Sequence, residues 1–150
     1  MGLPALAADY LFIGPLMKAR LEDKVGDIPV QLCETVEQVL KADQRKRVLL
    51  LLWAGDRVDT GADGSARAGA SQLLHQRWLV ILGLDNVSPS PDARNVAAGP
   101  LLSKVHQALA GWAPPGAATR TMRRASAPLQ PTFTPSKAVY PLGFEITLTL

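Results

Sequence analysis

Two histidines, one cysteine and a scatter of loop acids are the residues of this chain best suited to polar chemistry, and their spacing argues against it. His75 lies in an apolar stretch of strand character and His106 in an apolar stretch of helical character. Neither has a second histidine, a cysteine or an acid at the intervals that hold a metal ion. Cys33 stands alone, which excludes an intramolecular disulfide and a cysteine-based metal cluster. Following an apolar run, it reads as a small buried or half-buried residue rather than a nucleophile. Asp56, Asp59 and Asp63 precede Gly64, but the alternating ligands and closing glutamate of a calcium loop are missing, so these read as solvated acids. Ser65 has no matched base. No nucleophile elbow, dinucleotide-binding glycine pattern or phosphate-cradling loop occurs. The residue types therefore predict no enzyme, no cofactor and no metal.

Arg120, Arg123 and Arg124 make the one local charge excess. In an extended chain Arg120 and Arg124 share a face with Met122, and Arg123 points the other way. Such a group could meet phosphate or an acidic partner, or form a solvated face, and the solvated face is the simpler reading. The net charge of +3 permits nucleic acid or an acidic partner and requires neither. A small basic nucleic-acid-binding module is the alternative class this segment raises. Against it, only 5% of residues are aromatic and the basic charge is not gathered along a groove-sized element. An enzyme whose site is assembled from isolated residues is a second alternative. Its sign would be a deep pocket holding convergent acids or a histidine.

The elements that must position these residues follow from periodicity. Leu73 to Asn86 reads as a central strand, with Leu74, Trp78, Val80, Leu82 and Leu84 on one face and Leu79 and Ile81 on the other. Ala98, Leu101, Leu102, Val105, Leu109 and Trp112 recur at helical intervals. They place one helix over GPLLSKVHQALAGW, opened by Pro100 after a turn cluster from Asp85 to Asn95 and stopped by Gly111 and Pro114-Pro115. Ala5 to Val25 reads as helical, interrupted at Gly14-Pro15 by a kink or divided there into two short helices with Pro15 opening the second. Ile28 to Cys33 is a short strand, Thr35 caps a short helix through Ala42, and Arg47 to Trp53 is a second buried strand. Gly55 to Ala70 reads as the long, mobile tip of an antiparallel hairpin. Thr119 to Ser126 is a short polar strand inside an irregular, proline-rich 113–137. Tyr140 to Leu150 alternates as a half-buried strand with one wet face, at or near a sheet edge. The pattern predicts an α+β fold, a mixed and mainly antiparallel sheet packed by two main helices, in one domain over residues 1–150.

The longest apolar run, Val48 to Ala54, falls far short of the roughly 20 residues of a membrane span. The first residues carry no basic region ahead of an apolar stretch, and Leu6 stands where a myristoylation motif needs Ser or Thr. The expectation is a soluble chain, cytoplasmic at synthesis and without a membrane partner.

In order, the segments FIGPLMKARLEDKV, VLLLLWAG, HQRWLVILGL, AGPLLSKVHQALAGWAP and YPLGFEITLTL resemble the tail-terminator (tail-completion) proteins of long-tailed and Mu-like bacteriophages and prophages. The resemblance implies a non-enzymatic virion protein of the tail, present in the host cytoplasm during assembly. It implies a hexameric ring that caps the tail tube, ends its polymerisation and meets the head-completion (connector) proteins, with DNA passing through the ring. It transfers no site residue. The hairpin loop and the arginine segment are the natural places to contact a neighbouring subunit, the tail-tube protein or DNA. The candidate contacts are Asp56, Arg57, Asp59, Arg67, Arg120, Arg123 and Arg124. The loop should exchange its amide hydrogens rapidly in the isolated subunit and slowly in the assembly; equal rates in both states would count against its role as a contact.

Overall fold

A computed structural model describes residues 9–35, 47–58, 73–85, 90–116 and 120–149. Two helices, α1 (Ile13–Val25) and α2 (Pro91–Leu109), pack on a sheet of six strands: β1 (Val30–Cys33), β2 (Arg47–Val58), β3 (Leu73–Asp85), β4 (Arg123–Ala125), β5 (Thr132–Phe133) and β6 (Lys137–Thr149). The strand order is β1-β2-β3-β6-β4, with β5 also paired to β6. Among the described strands only β1 and β2 run parallel. The fold is α+β with a mixed, mostly antiparallel sheet, as the periodicity implies.

The core lies between the sheet and the helices. Ile13, Met17, Leu21 and Val25 form the buried stripe of α1, and Ala98, Val105, Ala108 and Leu109 that of α2. They meet Leu49 and Leu51 of β2, alternate residues of β3 from Leu74 to Leu84, and Phe144, Ile146 and Leu148 of β6. Each fully buried side chain of this size contributes on the order of 2 kcal/mol. The opposite face carries a second apolar cluster of Val48, Leu50, Leu52, Leu79 and Ile81, with Ala127 and Leu129 packed against it. Part of the proline-rich segment is thus a cover for the sheet. As expected, β3 is a central strand buried on both faces.

Four features differ from those the sequence suggests. α2 starts nine residues before Pro100, because Ser90 accepts a hydrogen bond from the Ala93 amide and Pro91 fills the first helical position. Pro100 is inside this helix. The carbonyl four residues back belongs to Val96, and both residues are exposed, so water can replace the missing donor. In α1, Pro15 lies within the first turn, where it opens this helix as expected, but Tyr10 to Phe12 form a turn rather than helix; residues 5–8 of the expected helical segment lie outside the described residues. β2 runs on to Val58 through a bulge between Trp53 and Asp56, where Gly55 takes φ 94°; Asp56 and Arg57 are therefore strand residues. Finally, β6 does lie near the sheet edge, but its second face is not wet. Glu145 and Thr147 are buried there. β2 and β3 are antiparallel neighbours, as a hairpin requires; its tip at 59–72 and the short helix expected after Thr35 lie outside the described residues.

Two glycines allow close approaches. A Cβ at Gly14 would sit 3.0 Å from the Trp78 ring, so α1 rests directly on β3. At Gly143 a Cβ would sit 2.7 Å from the Ala125 carbonyl oxygen and 2.9 Å from that of Ser126, where β4 leaves β6. Backbone cannot yield as a side-chain tip can. Gly143→Ala should therefore lower unfolding free energy in urea by about 1–3 kcal/mol. An unchanged unfolding free energy would contradict this packing.

Candidate partner-contact site

Four of the five buried polar residues among those described, His75, Gln76, Glu145 and Thr147, lie at one end of the long strands. On the face away from the helices, Glu145 of β6 stands between Arg77 of β3 and Arg123 of β4, each directly opposite it in the ladder. Arg77 Nε lies 3.3 Å from one carboxylate oxygen, and Arg123 Nη2 donates to the other. His75 Nδ1 lies 2.9 Å from the Thr147 hydroxyl and 3.7 Å from Glu145. Arg57 pairs across from His75. Burial alone would push the Glu145 carboxyl up. The hydrogen bond and charge of Arg123, the hydrogen bond of Arg77 and the charge of His75 outweigh it and hold the group below the usual carboxylate range. The site is a buried acid roofed by two half-exposed arginines.

On the helix face at the same end, the buried Gln76 side chain accepts from Trp78 Nε1 at 3.1 Å and donates to the Tyr10 carbonyl at 2.7 Å. The Tyr10 hydroxyl donates to Asp56, and its ring meets Trp53 edge-on at 6.1 Å. That bond, with partial burial and the Asp56 charge, pushes the phenol up to about 12. The chain ahead of α1 is fastened to the sheet by these contacts.

The candidate contacts separate accordingly. Asp56 holds Tyr10, and Arg57 lies beside His75. Arg123 belongs to the Glu145 site. Arg124 lies over Phe144 at 5.5 Å and donates to the Ala125 and Gly143 carbonyls, both at 2.7 Å. Arg123 and Arg124 point to opposite faces, as an extended chain requires, but both serve the fold. Arg120 is exposed and makes no hydrogen bond or ion pair with the described residues. Asp59 and Arg67 lie outside the described residues. The sequence reading missed Glu145, Arg77 and Gln76. A lone acid facing arginines across two strands has no signature in any one segment.

Nothing in this arrangement resembles a catalytic constellation. Among the described residues no three His, Cys, Asp or Glu side chains converge on a metal-sized space. His106 is an exposed residue of α2. Cys33 is half-buried, and desolvation pushes its thiol up, away from the reactive thiolate. A cavity of about 60 Å³ between Val25, Asp27, Ile28, Arg47, Leu101 and Lys104 holds a few waters rather than a substrate. No helix among the described residues is long and apolar enough to cross a membrane.

The phage tail terminator protein family matches residues 7–150, and the chain belongs to that family. The family is structural, so this is a component of the virion tail that interacts with other tail proteins. No curated protein matches the chain significantly.

The Glu145 site sets an acid limb of stability. Its carboxyl is depressed in the folded state, so its contribution is present above the ordinary glutamate value of about 4.3 and is lost as pH falls through the folded value. Glu145→Gln should cost about 2 kcal/mol at neutral pH, the scale of hydrogen bonds to charged groups. It should also flatten the fall in Tm on acidification; an unchanged acid limb would show that the carboxylate is not coupled to folding.

Proposed function

We propose that this chain, as one domain over residues 1–150, forms a closed ring on the end of the phage tail tube. There it stops tube polymerisation and offers the surface that head-completion proteins join, with DNA passing through the opening. It acts by shape and contact, as a non-enzymatic protein without a cofactor, and assembles in the host cytoplasm. The observation that carries this reading is membership of the tail terminator family over nearly the whole chain. Its surface is compatible with assembly. A ring needs a heterologous contact that closes on itself. Among the described residues β1 is an edge strand, and Leu32, Tyr10, Leu11 and Trp53 expose apolar surface near it. Ring size six is part of the proposal.

The test is negative-stain imaging of the protein mixed with its cognate tail-tube protein, alongside light scattering of the protein alone. Rings, or a density capping one end of tubes that stop growing, are expected. Unrestrained tube growth without capping would overturn the reading, and salt-dependent binding of DNA by the monomer would favour the nucleic-acid module instead. In the same assay Arg120→Glu should weaken capping without lowering Tm. Reversal at Arg123 or Arg124 should lower Tm as well, because those side chains hold the sheet.

A further inference from the structure

Arg94 is a buried charge with no counter-charge among the described residues. It stands in the first turns of α2 with only 7% of its surface exposed. Its Nη2 donates to the Thr134 carbonyl, and its guanidinium lies over the Phe133 ring at 5.7 Å. Phe133 in turn meets the Tyr140 ring edge-on at 5.5 Å. The Arg94 Nε and the Tyr140 hydroxyl, both flanking Phe133, are buried and have no hydrogen-bond partner. Among the described residues no carboxylate lies within ion-pair distance of Arg94.

This arrangement is unlike the other charged sites of the fold. Glu145, only 5% exposed, is met by two arginines. Arg20 bonds the Ala108 carbonyl at 2.9 Å and stacks over Trp112 at 5.6 Å, but it is only half-buried, so water still solvates it. A guanidinium keeps its charge at any ordinary pH. Buried, it is stable only when paired, and a peptide carbonyl and a ring face carry no full negative charge. The unused Nε–H and a neighbouring Nη–H form the edge that a carboxylate bridges with two parallel hydrogen bonds.

We propose that Arg94 is the receptor for a carboxylate brought by another polypeptide, either an acidic side chain or a chain terminus. Phe133 is its cover. Both residues of β5 are exposed, and the strand is only two residues long, so a small movement of 132–134 uncovers the donors. The site is on the helix side of the sheet, at the start of β6, and is separate from the Glu145 cluster. It does not depend on the ring reading, since any partner presenting a carboxylate would satisfy it.

The experiment uses the full chain and sodium acetate as the probe, against sodium chloride at matched ionic strength. Acetate should raise the Tm of the wild type in a saturable way and shift the Arg94 Nε–H resonance in a nitrogen–proton correlation spectrum. Arg94→Met, which removes the uncompensated charge at similar volume, should melt at or above the wild type in chloride and lose the acetate response. Arg94→Lys, which lacks the two-pronged edge, should respond more weakly than wild type. Acetate effects equal in wild type and Arg94→Met, or an Nε–H resonance that acetate leaves unmoved, would overturn the inference; the resonance tests it even if neither variant folds. The source is then read from the same resonance in labelled protein. Movement on raising the concentration of the chain alone assigns the carboxylate to a second copy. Movement only on adding the tail-tube protein assigns it to that partner.

Discussion

Every other part of this fold depends on the ladder between β3 and β6. The two strands pair residue by residue from Leu73 opposite Thr149 to Asp85 opposite Lys137. Because side chains alternate between faces, a slip of one residue would turn Phe144, Ile146 and Leu148 away from the helices and drive Glu145 into the apolar core. Burial on one face resists that slip, and the opposite face resists it independently. Glu145 meets Arg77 on one side and Arg123 on the other only in the observed register. An ion pair in this position costs desolvation but selects one alignment.

The ladder also explains how the smaller elements are placed. α1 can lie against β3 because Gly14 leaves room for the Trp78 ring, and α1 then reaches α2 through Arg20, which spans the Ala108 carbonyl and Trp112. β4 can lie beside β6 because Gly143 lets the Ala125 and Ser126 backbone approach. Its neighbour Met122 exchanges backbone hydrogen bonds with Gly111 and Trp112 just after α2, so the helix end and the strand start are one joint. The chain that follows crosses the helix-free face, where Ala127 and Leu129 add to the second apolar cluster.

A protein that works by assembly needs stiffness and selective surfaces more than a pocket, and the distribution of polar groups fits that need. Most charged side chains that look available in the sequence are tied to backbone or to each other inside the subunit. Arg123 and Arg124 are the clearest case, since an arginine pair of this kind reads as a surface charge until the cross-strand neighbours are known. Among the described residues, surfaces open to a partner include an edge strand with apolar residues near it, the exposed Arg120, and the guanidinium of Arg94.

The sequence by itself determined the fold class, the two helical stripes, the central position of β3, and the alternation of β6. These are local periodicities, and burial of one apolar face makes each of them legible without a partner. It also determined that no catalytic or metal-binding spacing is present in the chain. Tertiary structure alone decided which strands lie side by side, and therefore that Glu145 is roofed by arginines from two other strands. It also decided that Arg94 is buried beneath Phe133, 39 positions further along the chain. The start of α2 lay between the two cases: Ser90-Pro91-Asp92 is a capping signal, but Pro100 competes with it as a helix opener, and the local pattern cannot rank them. Packing of Arg94 and Ala98 against the sheet supplies the burial that favours the longer helix. Pair partners distant in sequence are set by the ladder register, and register is a property of the whole sheet.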